Sequence, residues 1–410
     1  MVLVVGAGIV GVSQALSLAR RGVKVTLIDA LGVGRGTSWG NSGFLCPSLV
    51  QPLGVAKVLS SDWHYRFPFP GTQAASTPLR WFGHFLREQQ RGRYDQNIAA
   101  LRTLAEDGAD MSRELLGPPK GGLHIYRTRP AIPILPTDHL VRGKDRLAQI
   151  EPALQGSRSP IYGGRLVATD TFVSPTSLVE NLAELCRDHG VEIRTERVQS
   201  LQSLQRSSFN HHSTIHRVVT DKNTYHPRAV VLAVGHHLEN VLECIDDEGC
   251  SSHRRCLAYL PPLLKSLGFS LTVTILPEYV GAVPLPIRAI SDLDRMSTYL
   301  PMGENRMRIA CFSDLFDPES HPHLVDKRRR QMRAYLEDLF PSLAPPHTCI
   351  AEDEFWIGWR VLAPSSVPIF RRLPTFDNLY LNTAHGRFGM TLGPATSDCL
   401  AQEIVRDLFT

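Results

Sequence analysis

A chain of 410 residues has room for two or three domain-sized units. Its hydrophobic share of 43% and charged share of 20% are those of an ordinary soluble globular protein. A net charge of +4 without a basic tail argues against a nucleic-acid partner. Eight irregularly spaced cysteines suit reduced thiols better than a disulfide framework, and the lack of any run of 18 apolar residues argues against a membrane span.

Residues 2–5 form an apolar run that reads as a buried parallel strand rather than a signal peptide. It ends in Gly6-Ala7-Gly8-Ile9-Val10-Gly11, and a helix follows with Val12, Ala15, Leu16 and Ala19 on one face. Arg20, Arg21 and Gly22 stop that helix. Residues 23–28 alternate as a second strand, closed by Asp29 and Ala30. In this pattern Gly6 permits a tight turn, Gly8 lets a pyrophosphate reach the backbone, and Gly11 lets the helix pack on the strand. The helix start supplies N–H groups and partial positive charge, and Asp29 suits the hydroxyls of an adenosine ribose. The pattern specifies a dinucleotide but not which one.

The next stretch holds Gly34, Gly36, Thr37, Ser38, Gly40, Asn41, Ser42 and Gly43, backbone donors and hydroxyls suited to a long extended cofactor. Residues 78–116 read as mainly helical, with Trp81, Phe82, Phe85 and Leu86 on one face that packs on a core. Ser174-Pro175 caps a helix bearing Leu178, Val179, Leu182, Leu185 and Cys186, and Gly190 ends it. Residues 191–198 follow as one strand, and residues 229–234, including Ala233, as another closed by Gly235. Arg328, Arg329 and Arg330 read as the solvated face of an amphipathic helix. Finally a strand at 378–382 leads through His385, Gly386, Arg387, Phe388, Gly389, Met390 and Thr391 into a last helix, a second glycine-rich strand-to-helix turn. A helix start there could stabilise the negative charge of a reduced flavin, which favours FAD over NAD.

These motifs together resemble the D-amino-acid dehydrogenase branch of the D-amino-acid oxidase superfamily. The resemblance rests on the N-terminal fingerprint, on Thr37-Ser38-Trp39-Gly40-Asn41-Ser42-Gly43, on Trp356-Ile357-Gly358-Trp359-Arg360, and on Asn382-Thr383-Ala384-His385-Gly386-Arg387-Phe388-Gly389. It implies an α/β fold in which a Rossmann-type FAD-binding domain (1–75, 150–240 and 350–410) is interleaved with a smaller substrate domain (76–149 and 241–349). The smaller domain is built on a mainly antiparallel sheet with helices. It implies noncovalent FAD, since Gly40 stands where dimethylglycine dehydrogenases carry the linking histidine. It also implies that the backbone of Val198 lies against the adenine.

The implied reaction is oxidative deamination of a D-amino acid by hydride transfer from Cα to flavin N5, with electrons passed to a quinone or other acceptor. Such chemistry needs no metal and no strong base, only a cofactor and an anchor for the carboxylate. Arg360 is the expected anchor, and His385 a second residue near the flavin. An oxidase of glycine, sarcosine, D-proline or D-hydroxyproline is the alternative. A different class, an FAD-binding subunit without amine-oxidising activity, is kept open by three departures from the family pattern. Val361 and Ser365-Ser366 replace a proline and an acid, Phe269 replaces a tyrosine in Gly268-Phe269-Ser270-Leu271-Thr272, and residues 237–259 form a long connection. That connection reads as a solvent-exposed insertion, because the spacing of Cys244, Cys250, His253 and Cys256 does not match a zinc site. His211, His212 and His216 read as loop. The expected setting is cytoplasmic, peripheral on the inner membrane face if quinone is the acceptor; the oligomeric state is open.

Overall fold

The computed structural model describes residues 1–55, 76–129, 139–205, 212–247, 258–343 and 350–409. Its centre is a six-stranded sheet in the order Ile369–Arg372, Leu379–Thr383, Ala229–Leu232, Val2–Val5, Val25–Asp29 and Glu192–Thr195. All neighbours are parallel except the first pair. Every residue of Val2–Val5 is buried, and successive side chains feed opposite cores, as the two-residue period of a strand requires. Val2 and Val4 pack with the helices Ile9–Ala19, Pro175–Asp188 and Gly389–Phe409, while Leu3 and Val5 pack towards a four-stranded sheet. A continuous apolar run is what a strand covered on both faces demands.

The second large sheet has eight strands, in the order Ile350–Leu362, Leu264–Ile275, Arg306–Asp314, Ser297–Gly303, Ala289–Asp292, Gly122–Tyr126, Gly163–Val167 and His139–Arg142. One face packs on the helix Pro322–Leu339 through Met332, Leu336 and Leu339. Gly163–Val167 and Ile350–Leu362 come from stretches that otherwise help build the first sheet, so the second sheet is completed by two strands lent from them.

Four local expectations are corrected. The single strand at 191–198 is two: Glu192–Thr195 pairs with Val25–Asp29, and Val198–Gln205 pairs with Ser213–Thr220 in the four-stranded sheet. The break falls at Glu196, whose buried carboxylate accepts hydrogen bonds from Thr220, Asn223 and Tyr225. Arg328 is not solvated: it is buried and holds Asp314 through two bonds of 2.7 and 2.8 Å. The start of the 237–259 connection is no exposed insertion, since Leu238, Leu242 and Ile245 are buried in the core. His212 and His216 do not share a loop, for His216 lies within the strand Ser213–Thr220. Cys250, His253, Cys256 and His211 lie outside the described residues, among which no cluster could hold a metal ion.

The aromatic helix packs on the core through Trp81, Phe82 and Phe85, but Leu86, expected on the same face, is exposed. Trp81 and Phe85 are wholly buried and stacked, and Trp81 Nε1 donates to Leu362 O at 3.1 Å. No helix among the described residues is long and apolar enough to cross a membrane.

Candidate active site

The fingerprint turn joins Val2–Val5 to the helix Ile9–Ala19. Gly6 has φ of +101°, and a Cβ there would lie 2.5 Å from Ala233 O. A Cβ on Gly11 would lie 1.7 Å from Gly6 O, so both positions exclude a side chain. Asp29 ends the second strand, its Oδ2 accepting from Ala7 N–H at 2.8 Å and its Oδ1 from Leu31 and Gly32 N–H. Ala30 is exposed just beyond it, and Gly235 follows Ala233 with φ of +56°. Val198 opens a strand of another sheet, three residues past Thr195, the partner of Asp29.

The hydroxyl-rich loop folds back over that turn. Ser38 Oγ accepts from Ile9 N–H at 3.0 Å, and Gly8 faces Ser38 so closely that a Cβ would sit 3.2 Å from Oγ. Asn41 Oδ1 accepts from Gly43 N–H and Ser42 Oγ from Phe44 N–H, which set the turn into Phe44–Leu45. Thr37 Oγ1 donates to Trp359 O at 2.9 Å, tying the loop to the eight-stranded sheet.

The C-terminal turn completes the cradle. Gly389–Phe409 starts beside the fingerprint helix: a Cβ on Gly389 would be 4.0 Å from Ile9 Cγ2, and one on Gly393 would be 3.4 Å from Val10 Cγ2. Ser397 Oγ donates to Val10 O at 3.1 Å. Two helix starts therefore converge from opposite ends of the chain, and both present N–H groups and partial positive charge. Thr391 Oγ1 accepts from Cys46 N–H, and Phe388 and Met390 are buried beneath the turn. His385 is buried and its Nε2 lies 2.9 Å from Thr396 Oγ1, which itself donates to Gly393 O. Nε2 therefore carries the proton, and burial pushes the imidazole pKa down to about 3, so the ring is neutral.

The sheet floor lies opposite. Register pairs Ser266 with Arg360, Gly268 with Gly358, Ser270 with Trp356 and Thr272 with Glu354. Paired residues share a face, so one face is lined by small side chains, the Trp356 indole and the Arg360 guanidinium. Trp356 lies so close to both Gly40 and Gly358 that a Cβ on either would be 1.9 Å from its ring, and no side chain can stand at position 40. Phe269 points the other way, into the core among Phe312, Phe316 and Phe355. The hydroxyl that it lacks therefore belongs to the far side of the sheet.

Arg360 lies across Gly268, where a Cβ would be 2.4 Å from Cζ. Its Nη1 donates to Phe312 O at 2.6 Å. Phe312 has φ of +64°, a conformation costing about 1–3 kcal/mol that turns this carbonyl towards the guanidinium. Burial, and then the neighbouring Arg387, lower the Arg360 pKa to about 10, still a cation at neutral pH. Arg360 forms no ion pair among the described residues.

One residue went unnoticed in the sequence. Arg308 is 4% exposed and uses its whole guanidinium: Nε to Thr272 Oγ1, Nη1 to Trp39 O and Asn41 O, Nη2 to Glu354 Oε2, all between 2.9 and 3.1 Å. Trp39 Nε1 also donates to Glu354. Arg308 thus pins the hydroxyl-rich loop to the sheet floor.

A profile described as FAD dependent oxidoreductase matches residues 1–403. The chain belongs to that family. It is similar to the D-amino acid dehydrogenase of Dechloromonas aromatica, 29% identical and covering 98% of this chain and 96% of that one. It is also similar to a D-amino acid dehydrogenase of Neisseria meningitidis, 27% identical and covering 95% and 92% respectively. The solved glycine oxidase of Bacillus cereus shares the fold, with TM-score 0.61 at 18% identity over 99% of this chain and 94% of that one. The protein is thus an FAD-dependent oxidoreductase, and its cradle fits the cofactor: side-chain-free turns at Gly6 and Gly11, two converging helix starts, and an acid closing the second strand.

Proposed function

We propose that the protein oxidises a D-amino acid to the 2-oxo acid and ammonia, passing two electrons to a quinone or another carrier. The observation that carries this reading is Arg360: a cation with no ion pair among the described residues, held over a glycine on the face of small residues and beside the C-terminal turn. Curated relatives named D-amino acid dehydrogenase, matched over nearly their whole length, support the same substrate class.

In this reading Gly6 to Gly11 and Asp29 hold the adenosine and pyrophosphate, joined by Ala30, Thr37, Ser38, Asn41 to Gly43, Ala233 and Gly235. Val198 lies near the adenine, and Gly386 to Thr391 border the flavin ring. Residues 1–75, 150–240 and 350–410 bind FAD and the remainder forms the substrate side, apart from the two strands lent to the second sheet. When bound, FAD supplies the hydride acceptor.

The protein's own residues bind and orient. The Arg360 fork takes the α-carboxylate through two parallel hydrogen bonds and so fixes Cα. Its fork is aimed by Phe312 O and given room by Gly268. His385, neutral and bonded to Thr396, is a positioning residue that ties the turn to the last helix. Loss of hydride from Cα leaves an imino acid, which water converts to the 2-oxo acid and ammonia. The protein works in the cytoplasm, docked on the membrane where its acceptor is a quinone.

The test is anaerobic addition of D-amino acids, their L-enantiomers, glycine and sarcosine to the FAD-loaded protein. Bleaching of the visible flavin band by D-amino acids is expected, and admission of air then tells a dehydrogenase from an oxidase. Bound FAD that no D-amino acid bleaches would overturn the proposal.

A further inference from the structure

One place in the eight-stranded sheet breaks its regular ladder beside Arg360. Leu267 pairs with Asp314, yet Phe269 pairs with Cys311, so Phe312 and Ser313 together stand opposite Gly268. That is a β-bulge, in which an added residue bends the strand and turns a peptide group out of the ladder. A left-handed residue in such a bulge is ordinarily glycine. Here it is Phe312, with φ of +64°. A bulky side chain persists in that conformation only where its surroundings over-determine it.

The surroundings are a buried ion pair and an aromatic core. Arg328, on the helix Pro322–Leu339, donates from Nε and Nη2 to the two oxygens of Asp314 at 2.7 and 2.8 Å. Its guanidinium also lies over the Phe312 ring, 4.2 Å from the centroid, and the ring stands edge-on to Phe269. Nη1 donates to Gln331 Oε1 at 2.8 Å, and Gln331 donates to the Tyr335 hydroxyl on the same helix. One side chain thus grips the bulge at Phe312 and at Asp314 and fastens it to the helix behind the sheet. Asp314 is wholly buried and Arg328 is 7% exposed. Well-packed apolar residues of similar volume often match such a pair in stability, so stability alone does not account for it.

What the bulge produces is one directed carbonyl. Phe312 O accepts from Arg360 Nη1 at 2.6 Å, across Gly268, whose lack of a side chain leaves the guanidinium its path. The second bulge residue, Ser313, donates from Oγ to Ser266 Oγ at 3.0 Å, and Ser266 is the register partner of Arg360. We propose that Arg328 and Asp314 are positioning residues for the carboxylate anchor. By holding the bulge they hold the Phe312 carbonyl, and that carbonyl fixes the direction in which Arg360 presents its remaining N–H groups. Neither residue touches the substrate. The inference rests on the reading of Arg360 as the anchor and extends it to a helix on the far side of the sheet.

The experiment replaces the pair by apolar residues that fill its space, Arg328→Met with Asp314→Leu, and measures butyrate binding to the FAD-loaded protein by calorimetry. Butyrate is an unreactive carboxylate, so its affinity reads the anchor apart from turnover. The double variant binds butyrate about tenfold more weakly and loses kcat/KM for D-amino acids alike, while its melting temperature and FAD affinity stay near those of the parent. In an Arg360→Ala background the same change alters kcat/KM by less than about twofold, because residues acting through one group are not additive. Arg328→Lys keeps the charge without the planar fork, loses butyrate affinity about threefold or more, and stands in should the double variant not fold. Butyrate affinity within about twofold of the parent, whatever the change in melting temperature, overturns the inference, as does a full loss that persists beside Arg360→Ala. Butyrate binding that Arg360→Ala leaves intact removes the anchor and the inference with it. Failure of every D-amino acid to reduce the flavin overturns the D-amino-acid reading instead, and the butyrate affinities still decide this one.

Discussion

Replacing Arg308 by alanine removes four hydrogen bonds at once, those to Thr272, Trp39, Asn41 and Glu354. Glu354 is one-third exposed and also held by Trp39, so water takes over part of its loss and the ion pair itself is worth less than about 1 kcal/mol. The larger cost lies with the carbonyls of Trp39 and Asn41 and the Thr272 hydroxyl, each left short of a donor at about 1–3 kcal/mol. These terms share one side chain and do not add fully, which gives a total of about 3–4 kcal/mol. Most of it is borne by the loop carrying Thr37 to Gly43, because the sheet strands keep their ladders. If half or more of the cost falls on ordering that loop around the cofactor, the FAD dissociation constant rises about ten- to hundredfold. Titration of the apoprotein with FAD, followed by flavin fluorescence, measures this directly. Arg308→Lys keeps the charge but loses the planar fork, and falls between the two. An Arg308→Ala protein that melts earlier yet binds FAD within twofold of the parent would refute the reasoning, leaving Arg308 a support of the sheet alone.

Three further outcomes are expected. Arg360→Ala raises KM for amino acids and lowers kcat as orientation is lost, reducing kcat/KM by about 10²–10³-fold; unchanged kinetics would remove Arg360 from the substrate site. Gly11→Ala forces a Cβ to within 1.7 Å of Gly6 O, so the turn and helix must part, and the protein loses its FAD on gel filtration and melts at a lower temperature. His385 takes a proton near pH 6.5 when unfolded but only near about pH 3 when folded. Between those values the unfolded chain holds the additional proton, so this group's contribution is full above pH 6.5 and is lost as pH falls, by at most about 4–5 kcal/mol. Denaturant midpoints at pH 7.5 and 4.5 should therefore lie closer together in His385→Gln than in the parent, and an unchanged gap would show that other groups set the acid limit.

What could be seen in the sequence was what is local. Strand, turn, helix and second strand of the fingerprint lie within the first 29 residues and carry their own punctuation, and the last turn and helix do likewise. Arg308 could not be found this way, because its partners are fixed by sheet register and a loop from the other end of the chain. Glu196 hid for a related reason: an acid inside an apolar alternation looks like a solvent-facing residue until Thr220, Asn223 and Tyr225 close over it. Phe269 was legible in principle. Gly268, Ser270 and Thr272 alternate with Phe269, Leu271 and Val273, and only the second set is apolar enough to face a core.

The discontinuous order of the first sheet has a consequence for synthesis. Val2–Val5 waits for Ala229–Leu232 before its outer edge is paired, and the second helix start of the cradle arrives only with Gly389. At roughly 5–20 residues per second, that first strand stands open for on the order of 10–45 s on the ribosome. It is apolar on both faces throughout. Cofactor capture is therefore a late event, and this apolar strand edge stays unpaired for longer during synthesis than it would in a contiguous nucleotide domain.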